Sequence, residues 1–392
     1  MNETNLILDR IIMGSLFGFV AFSLFSISLT QIACGLGGLA WITKVIINHS
    51  HKELHLPLKY PLLAFSLACI LAVATAIDPE NSFPSLKRLL EILIFFWAVN
   101  TIGNETLRNR LILVLILAGA LSTFSGFYQV SQLGFGTNSR AEGSMSVYMT
   151  FAGLLMMVGL LALSRLLFIE PVNKWVALGF FLITLCLVLT YARQAWLGFL
   201  AGTILLVWFR KKILLAAIPV LIGLIFVLSP WELQDRYKSM LDLKDRNLTI
   251  RLALWDSGLR AFADYPVTGC GFKCMDKIYS RYPDPTGFLE RMRGLHNNFI
   301  QLAVDTGILG VGSWIAIWVA YFMALYKKIS ASNRDQPEYA VAMGSLAAMS
   351  GFLVGGIFEV NFYDSEVSML MYFIMALPFA SEPNKMKETI KR

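Results

Sequence analysis

Along most of this chain apolar residues do not alternate with polar ones; they run on without interruption. Charge-free stretches of bilayer-spanning or near-spanning length recur at 60–77, 111–139, 143–164, 175–192, 194–209, 213–230, 306–326, 339–358 and 367–381. A further apolar run, 88–104, carries Glu91 inside it. The opening run, 11–43, accommodates two helices if the first starts before Asp9 and the second ends near Asn48. Together they predict an all-α polytopic membrane protein of about twelve transmembrane helices.

One long stretch breaks the pattern. Between the ninth and tenth predicted spans, Ile250, Leu254 and Leu259 recur at helical spacing with Trp255 and Phe262 beside them. Asp264, Tyr265, Pro266, Gly269 and Gly271 then stop the helix. This segment reads as one or two amphipathic helices lying on the membrane or capping a cavity. Residues 279–293, with two prolines and a glycine, read as a loop. The chain thus divides into 1–229 with nine helices, a 230–297 loop, and 298–392 with three helices and a tail.

Composition agrees: 56% of the 392 residues are hydrophobic and 15% charged, which excludes an ordinary soluble globule. With both termini on the cytoplasmic side, its loops and tails hold eighteen Lys and Arg against four in the short outer segments. The tail residues Lys385, Lys387, Lys391 and Arg392 belong to that count. The formal charge of +7 largely reflects this bias and does not indicate nucleic acid. The first span is expected to be an anchor and not a cleaved signal peptide. Cys34, Cys69 and Cys186 fall within spans as packing residues, while Cys270 and Cys274, in the outer loop, allow a disulfide without requiring one.

Candidate chemistry gathers on the outer side. His49, His51 and His55 share one inner loop and read as solvated rather than metal-binding, which leaves His296 as the one outer histidine. It is either a neutral-pH base or an interfacial residue beside a helix cap formed by Asn297 or Asn298. Arg193 stands alone in an otherwise charge-free stretch, a costly position unless it is near water or paired; the alternative is snorkelling to the interface. Arg140, Lys87, Arg88 and Arg251 lie at other outer positions, so several cations surround one mouth. Guanidinium groups suit a diphosphate, and no outer DxD pair offers a Mg²⁺ site. Asn297, Gln301 and Asp305 recur every four residues on one helix face, which borders either a cavity or a neighbouring helix. Gly307 and Gly310 read as sites of close helix contact.

HNNFIQLAVDTGILG resembles a pattern of the bacterial O-antigen ligases, carried here by His296, Asn297, Gly307 and Gly310. TYARQAWLG resembles that family's Arg-centred turn between two spans, and IRLALWDSGLRAFADYPVTGCGF its Arg-x-x-x-Trp helix running into a Pro…Gly-x-Gly turn. The resemblance covers about 190–310. It implies an inner-membrane glycosyltransferase of the GT-C type with its active site facing the periplasm. Such an enzyme moves O-antigen polysaccharide from undecaprenyl diphosphate to a sugar hydroxyl of lipid A–core, inverting the anomeric centre, with neither metal nor nucleotide as cofactor. By position, His296 is then the base or the residue that orients the acceptor hydroxyl, and Arg193 and Arg251 hold the diphosphate. Lys87 or Arg88 matches a family lysine only loosely, and Arg140 is added from its position alone. Wzy-type O-antigen polymerases share these loop features and remain the main alternative. A lipid-glycan transporter is the alternative of a different class.

Overall fold

A computed structural model describes residues 3–134, 136, 139–228, 231–242, 245–334 and 336–380. The four basic tail residues counted above lie outside the described residues. Among the described residues there is no strand. The apolar runs form α1 (Glu3–Phe22), α2 (Ile27–Ile47), α3 (Lys59–Ala74), the short α4 (Pro79–Ser82), α5 (Ile92–Thr101), α6 (Glu105–Leu133) and α7 (Tyr148–Phe168). They continue as α8 (Lys174–Leu189), α9 (Arg193–Arg210) and α10 (Ala217–Leu228). The long connection holds α11 (Trp231–Leu241), α12 (Arg246–Asp264), α13 (Met275–Ile278) and α14 (Phe288–Met292). After it come α15 (Asn298–Ala331), α16 (Pro337–Gly355) and α17 (Ser365–Ala376). Six of these helices are long and apolar enough to cross a membrane, and α3, α8 and α17 are shorter apolar helices. The chain is an all-α polytopic membrane protein.

The first pair of helices has the bounds the opening run required, with Lys44 of α2 bonded to Asp9 of α1. Polar residues left between apolar runs become caps: Ser26, Asn104, Asn173, Asp245 and Asn297 each accept backbone N–H groups at a helix start. Leu29, Ile32, Leu36 and Leu39 form an exposed apolar stripe on α2. Such a stripe has no place in water and suits acyl chains. At the centre, α7 packs against α8, α9 and α16, and most of its residues are buried. Helices α9 and α16 meet backbone to backbone: a Cβ at Gly198 would lie 2.4 Å from the Gly351 carbonyl oxygen. Buried Arg108 of α6 is held by Glu338 and by the Ala380 carbonyl, both at 3.3 Å.

The sequence reading needs three adjustments in and after the long loop. Leu259 is 53% exposed, and α12 instead buries Leu254, Ser257, Gly258 and Ala261. Periodicity identified the helix but not its packed face, because small residues make the closest contact. A Cβ on Gly258 would come within 2.8 Å of Ile300 and Leu295. Second, 279–293 is not wholly a loop. Asp284, almost fully buried, accepts the N–H groups of Thr286, Phe288 and Leu289 and so nucleates α14.

The third concerns Gly307, which breaks α15 with φ 63° and ψ −167°. The break frees backbone groups that need partners. The 266–271 turn supplies them: Ile308 and Leu309 donate to the Pro266 and Val267 carbonyls, and Cys270 and Gly271 donate to those of Val304 and Asp305. Gly307 therefore admits the 266–271 turn rather than another helix, since a Cβ there would lie 2.2 Å from the Val267 oxygen. Cys270 and Cys274, in and just after this turn, are joined by a disulfide with their Cα atoms 5.7 Å apart.

Candidate active site

His296 immediately precedes α15 in left-handed backbone, φ 48°. A non-glycine residue pays for that conformation, so its neighbours must hold it. They do so on both sides. The Leu295 N–H donates to Gln301 Oε1, and Asn297 Oδ1 accepts from Phe299 and Ile300. Asn297 Nδ2 donates to the Ile357 carbonyl, the Asn298 N–H to that of Gly356, and Asn298 Nδ2 to Asn361 Oδ1 at 2.6 Å. The histidine is thereby fixed against the connection between α16 and α17.

That connection supplies its partner. Nδ1 of His296 lies 3.1 Å from Oε1 of Glu359, with 18% and 12% of the two side chains exposed. A carboxylate only accepts, so it sets the tautomer with the proton on Nδ1 and leaves the Nε2 lone pair available. Phe288 flanks the imidazole, ring centroids 6.1 Å apart.

The arginines approach from other elements. Arg193 opens α9, and its Nη2 lies 2.9 Å from Oδ1 of Asp245. The same Asp245 oxygen caps α12 by accepting from Asn247 and Leu248, so one carboxylate ties the two helix starts together. Burial alone would push the Asp245 carboxyl up; Arg193 and the Leu248 N–H outweigh it and hold it below the usual range. Arg251 lies further along α12, half-buried, and its Nε is buried with no partner among the described residues. Burial pushes its guanidinium down, and the largest opposing influence is the negative charge of Glu359. Arg193, Tyr148 and Asp245 also lie within its electrostatic reach. Arg140 stacks on the Tyr148 ring, 4.1 Å from its centroid.

His296, Glu359, Arg251, Arg193 and Arg140 therefore belong to one cluster, drawn from five separate parts of the chain. Arg88 sits at its edge: it lies 4.5 Å from the Tyr363 ring centroid and within reach of Asp364, which also feels Glu359. Lys87 is exposed on the 3-10 segment Phe83–Glu91. Asn297 and Gln301 are buried, and their side chains bond to protein groups: Gln301 Nε2 donates to Asp305, whose other contact is the Tyr363 hydroxyl at 2.5 Å. Of the two settings open to the Asn297–Gln301–Asp305 face, it occupies the packed one. Between α2 and α3, His55 exchanges backbone bonds with the Asn100 side chain.

Residues 178–315, from within α8 to within α15, match the family model described as O-antigen ligase. Over this segment the chain is similar to the O-antigen ligase family. The matched segment contains Arg193, Asp245, Arg251, His296 and the Gly307 break; Arg88, Arg140 and Glu359 lie outside it. The chain is also similar to the exopolysaccharide production protein ExoQ of Rhizobium meliloti (strain 1021), 27% identical over 111 residues. That stretch is 26% of this chain and 24% of the relative, so the chain spans about a quarter of that protein's length.

Glu359, Asp245 and Tyr148 escaped the sequence reading. Each is one acidic or aromatic residue among several at a span boundary or in a polar loop, and only tertiary packing singles it out. For Asp245 a signal was present, since an Asp just before a helix is a cap candidate.

Proposed function

We propose that the protein is a glycosyltransferase that moves a glycan from a lipid diphosphate carrier, undecaprenyl diphosphate, onto a sugar hydroxyl of lipid A–core. In this reading it lies in the bacterial inner membrane with both termini cytoplasmic, and the His296 cluster faces the periplasm. The observation that carries the reading is the pairing of His296 with Glu359 beside half-buried Arg251, His296 and Arg251 both lying in the segment similar to the O-antigen ligase family. The acceptor hydroxyl attacks C1 of the donor sugar as the bond to the diphosphate oxygen breaks. Nε2 of His296 takes the hydroxyl proton, and Glu359 supports the imidazolium that results. Negative charge grows on the departing diphosphate, so Arg251 and Arg193 bind it more strongly in the transition state than in the ground state. Attack opposite the leaving group inverts the anomeric centre. Lys87, Arg88 and Arg140 serve as outer substrate contacts in this scheme, and Asn297 and Gln301 act by holding His296 in place.

The similarity to an exopolysaccharide production protein favours a second reading, chain growth on the lipid carrier in the manner of a Wzy-type polymerase. Purified protein in lipid bilayers, given undecaprenyl-diphosphate glycan and lipid A–core, separates the two. Glycan appearing on lipid A–core supports the ligase; glycan lengthening on its carrier supports the polymerase; transfer to neither, with competent substrates, removes both.

A further inference from the structure

A second feature lies on the loop side of the cluster. The first turns of α12 and the 286–291 segment enclose a cavity of about 400 Å³ lined by Arg246, Thr249, Ile250, Thr286, Phe288 and Arg291. Two arginines and two threonines around one aromatic ring is an unusual lining for an accidental surface dent. Arg246 and Arg291 are exposed and form no ion pair or hydrogen bond among the described residues. The acids beside them do not neutralise them among the described residues: Asp245 pairs with Arg193, Glu290 forms no ion pair with either, and Asp284 is turned inward, its oxygens accepting from Thr286, Phe288 and Leu289. Two walls are shared with the cluster. Phe288 is also the ring beside His296, and Ile250 immediately precedes Arg251 in α12.

We propose that this cavity is a subsite for an acidic sugar, a phosphate- or carboxylate-bearing residue of a glycan whose reacting unit lies at His296. The inference rests on the glycosyl-transfer reading and deepens it by naming the chemistry of a neighbouring sugar. Two open guanidiniums match an anionic substituent, which they bind by charge-assisted and bidentate hydrogen bonds. The threonine hydroxyls donate their own protons to Asp284 and the Asp245 carbonyl and so accept from sugar hydroxyls, and the Phe288 face covers the apolar side of a pyranose ring. A neutral glycan would leave both arginines unanswered, so the site discriminates by charge.

Binding can be read without transfer. The full-length protein in nanodiscs is titrated with mannose 6-phosphate, mannose, galacturonate, galactose and inorganic phosphate by saturation-transfer NMR. The expected result is roughly tenfold tighter binding of each acidic sugar than of its neutral counterpart. That preference is lost in an Arg246→Gln/Arg291→Gln variant and largely kept in Arg246→Lys/Arg291→Lys. Both positions are exposed, and an unchanged melting temperature shows that the variants are folded. Charge-selective binding by protein that transfers no glycan still supports the subsite, and so separates it from the reaction. No charge preference, a preference surviving the double Gln variant, or inorganic phosphate binding as tightly as mannose 6-phosphate overturns the proposal.

Discussion

His296 and Glu359 sit 63 positions apart in the chain, with Nδ1 and Oε1 separated by 3.1 Å. The contact joins the start of α15 to the α16–α17 connection. It also assigns the two carboxylate oxygens different surroundings: Oε1 additionally accepts from the Val360 N–H, whereas Oε2 is buried with no partner among the described residues. The histidine partner is thus held from its own side before any substrate arrives.

Glu359→Gln keeps the shape of this contact and removes its charge. We expect kcat to fall by about 10–100-fold, the usual range for losing a residue that orients a histidine. The KM values for donor and acceptor should change little, and Glu359→Asp should restore part of the rate. A purely structural role predicts instead a lower melting temperature with the surviving fraction fully active. Steady-state kinetics on the folded variants decides between them.

Arg251 is argued to meet charge that develops only during reaction. Arg251→Gln should lower kcat by about 10²–10³-fold, in line with removal of a transition-state donor. Arg251→Lys should recover only part of this, because an ammonium cannot form the bidentate fork. Equal rates for wild type and both variants would remove Arg251 from the reaction.

The fold makes its sharpest demand where the 266–271 turn enters the Gly307 break. At Gly269, φ is 73° and a Cβ would lie 2.4 Å from the Asp305 carbonyl carbon. Gly269→Ala should destabilise the protein by roughly 2–5 kcal/mol, combining the left-handed backbone cost with overpacking against rigid main chain. At Gly38 in α2 nothing lies within 4 Å, so Gly38→Ala should be neutral or mildly stabilising. Thermal unfolding in a fixed detergent compares the two.

Asp245 links stability of the long loop to pH. Its folded-state pKa lies below the usual carboxyl value because Arg193 and the α12 backbone N–H groups prefer the anion. A depressed carboxyl pKa contributes stability that is present above the unfolded pKa, about 3.9, and is lost as pH falls through the folded value. Hydrogen exchange of the α12 amides should therefore accelerate below about pH 4 in wild type. In Asp245→Asn, exchange should be faster at neutral pH and depend less on acid. Identical pH profiles for the two proteins would show that the Arg193–Asp245 pair does not hold the loop.

Much of the architecture was legible because apolar run length determines where a chain can cross a bilayer, and the polar residues between runs become caps such as Ser26 and Asn297. His296 and Arg193 stood out for a related reason: a titratable or charged group in apolar surroundings is conspicuous. Their partners were not, since Glu359 and Asp245 are ordinary acids at ordinary boundaries until folding brings them alongside. The packed face of α12 was hidden for another reason. Its closest approach runs through Ser257 and Gly258, while Leu259, apolar and at the right spacing, points outward. Gly307 looked like a helix-contact glycine because sequence shows the residue without its φ, and the turn it receives lies some forty positions earlier in the chain.

The most direct test of the account is transfer by wild type and His296→Ala under matched conditions, in bilayers with undecaprenyl-diphosphate glycan and lipid A–core. The account predicts glycan on lipid A–core with wild type and a rate about 10²–10⁴-fold lower with the variant, whose melting temperature and donor binding stay close to wild type. Transfer at the wild-type rate by His296→Ala would contradict it.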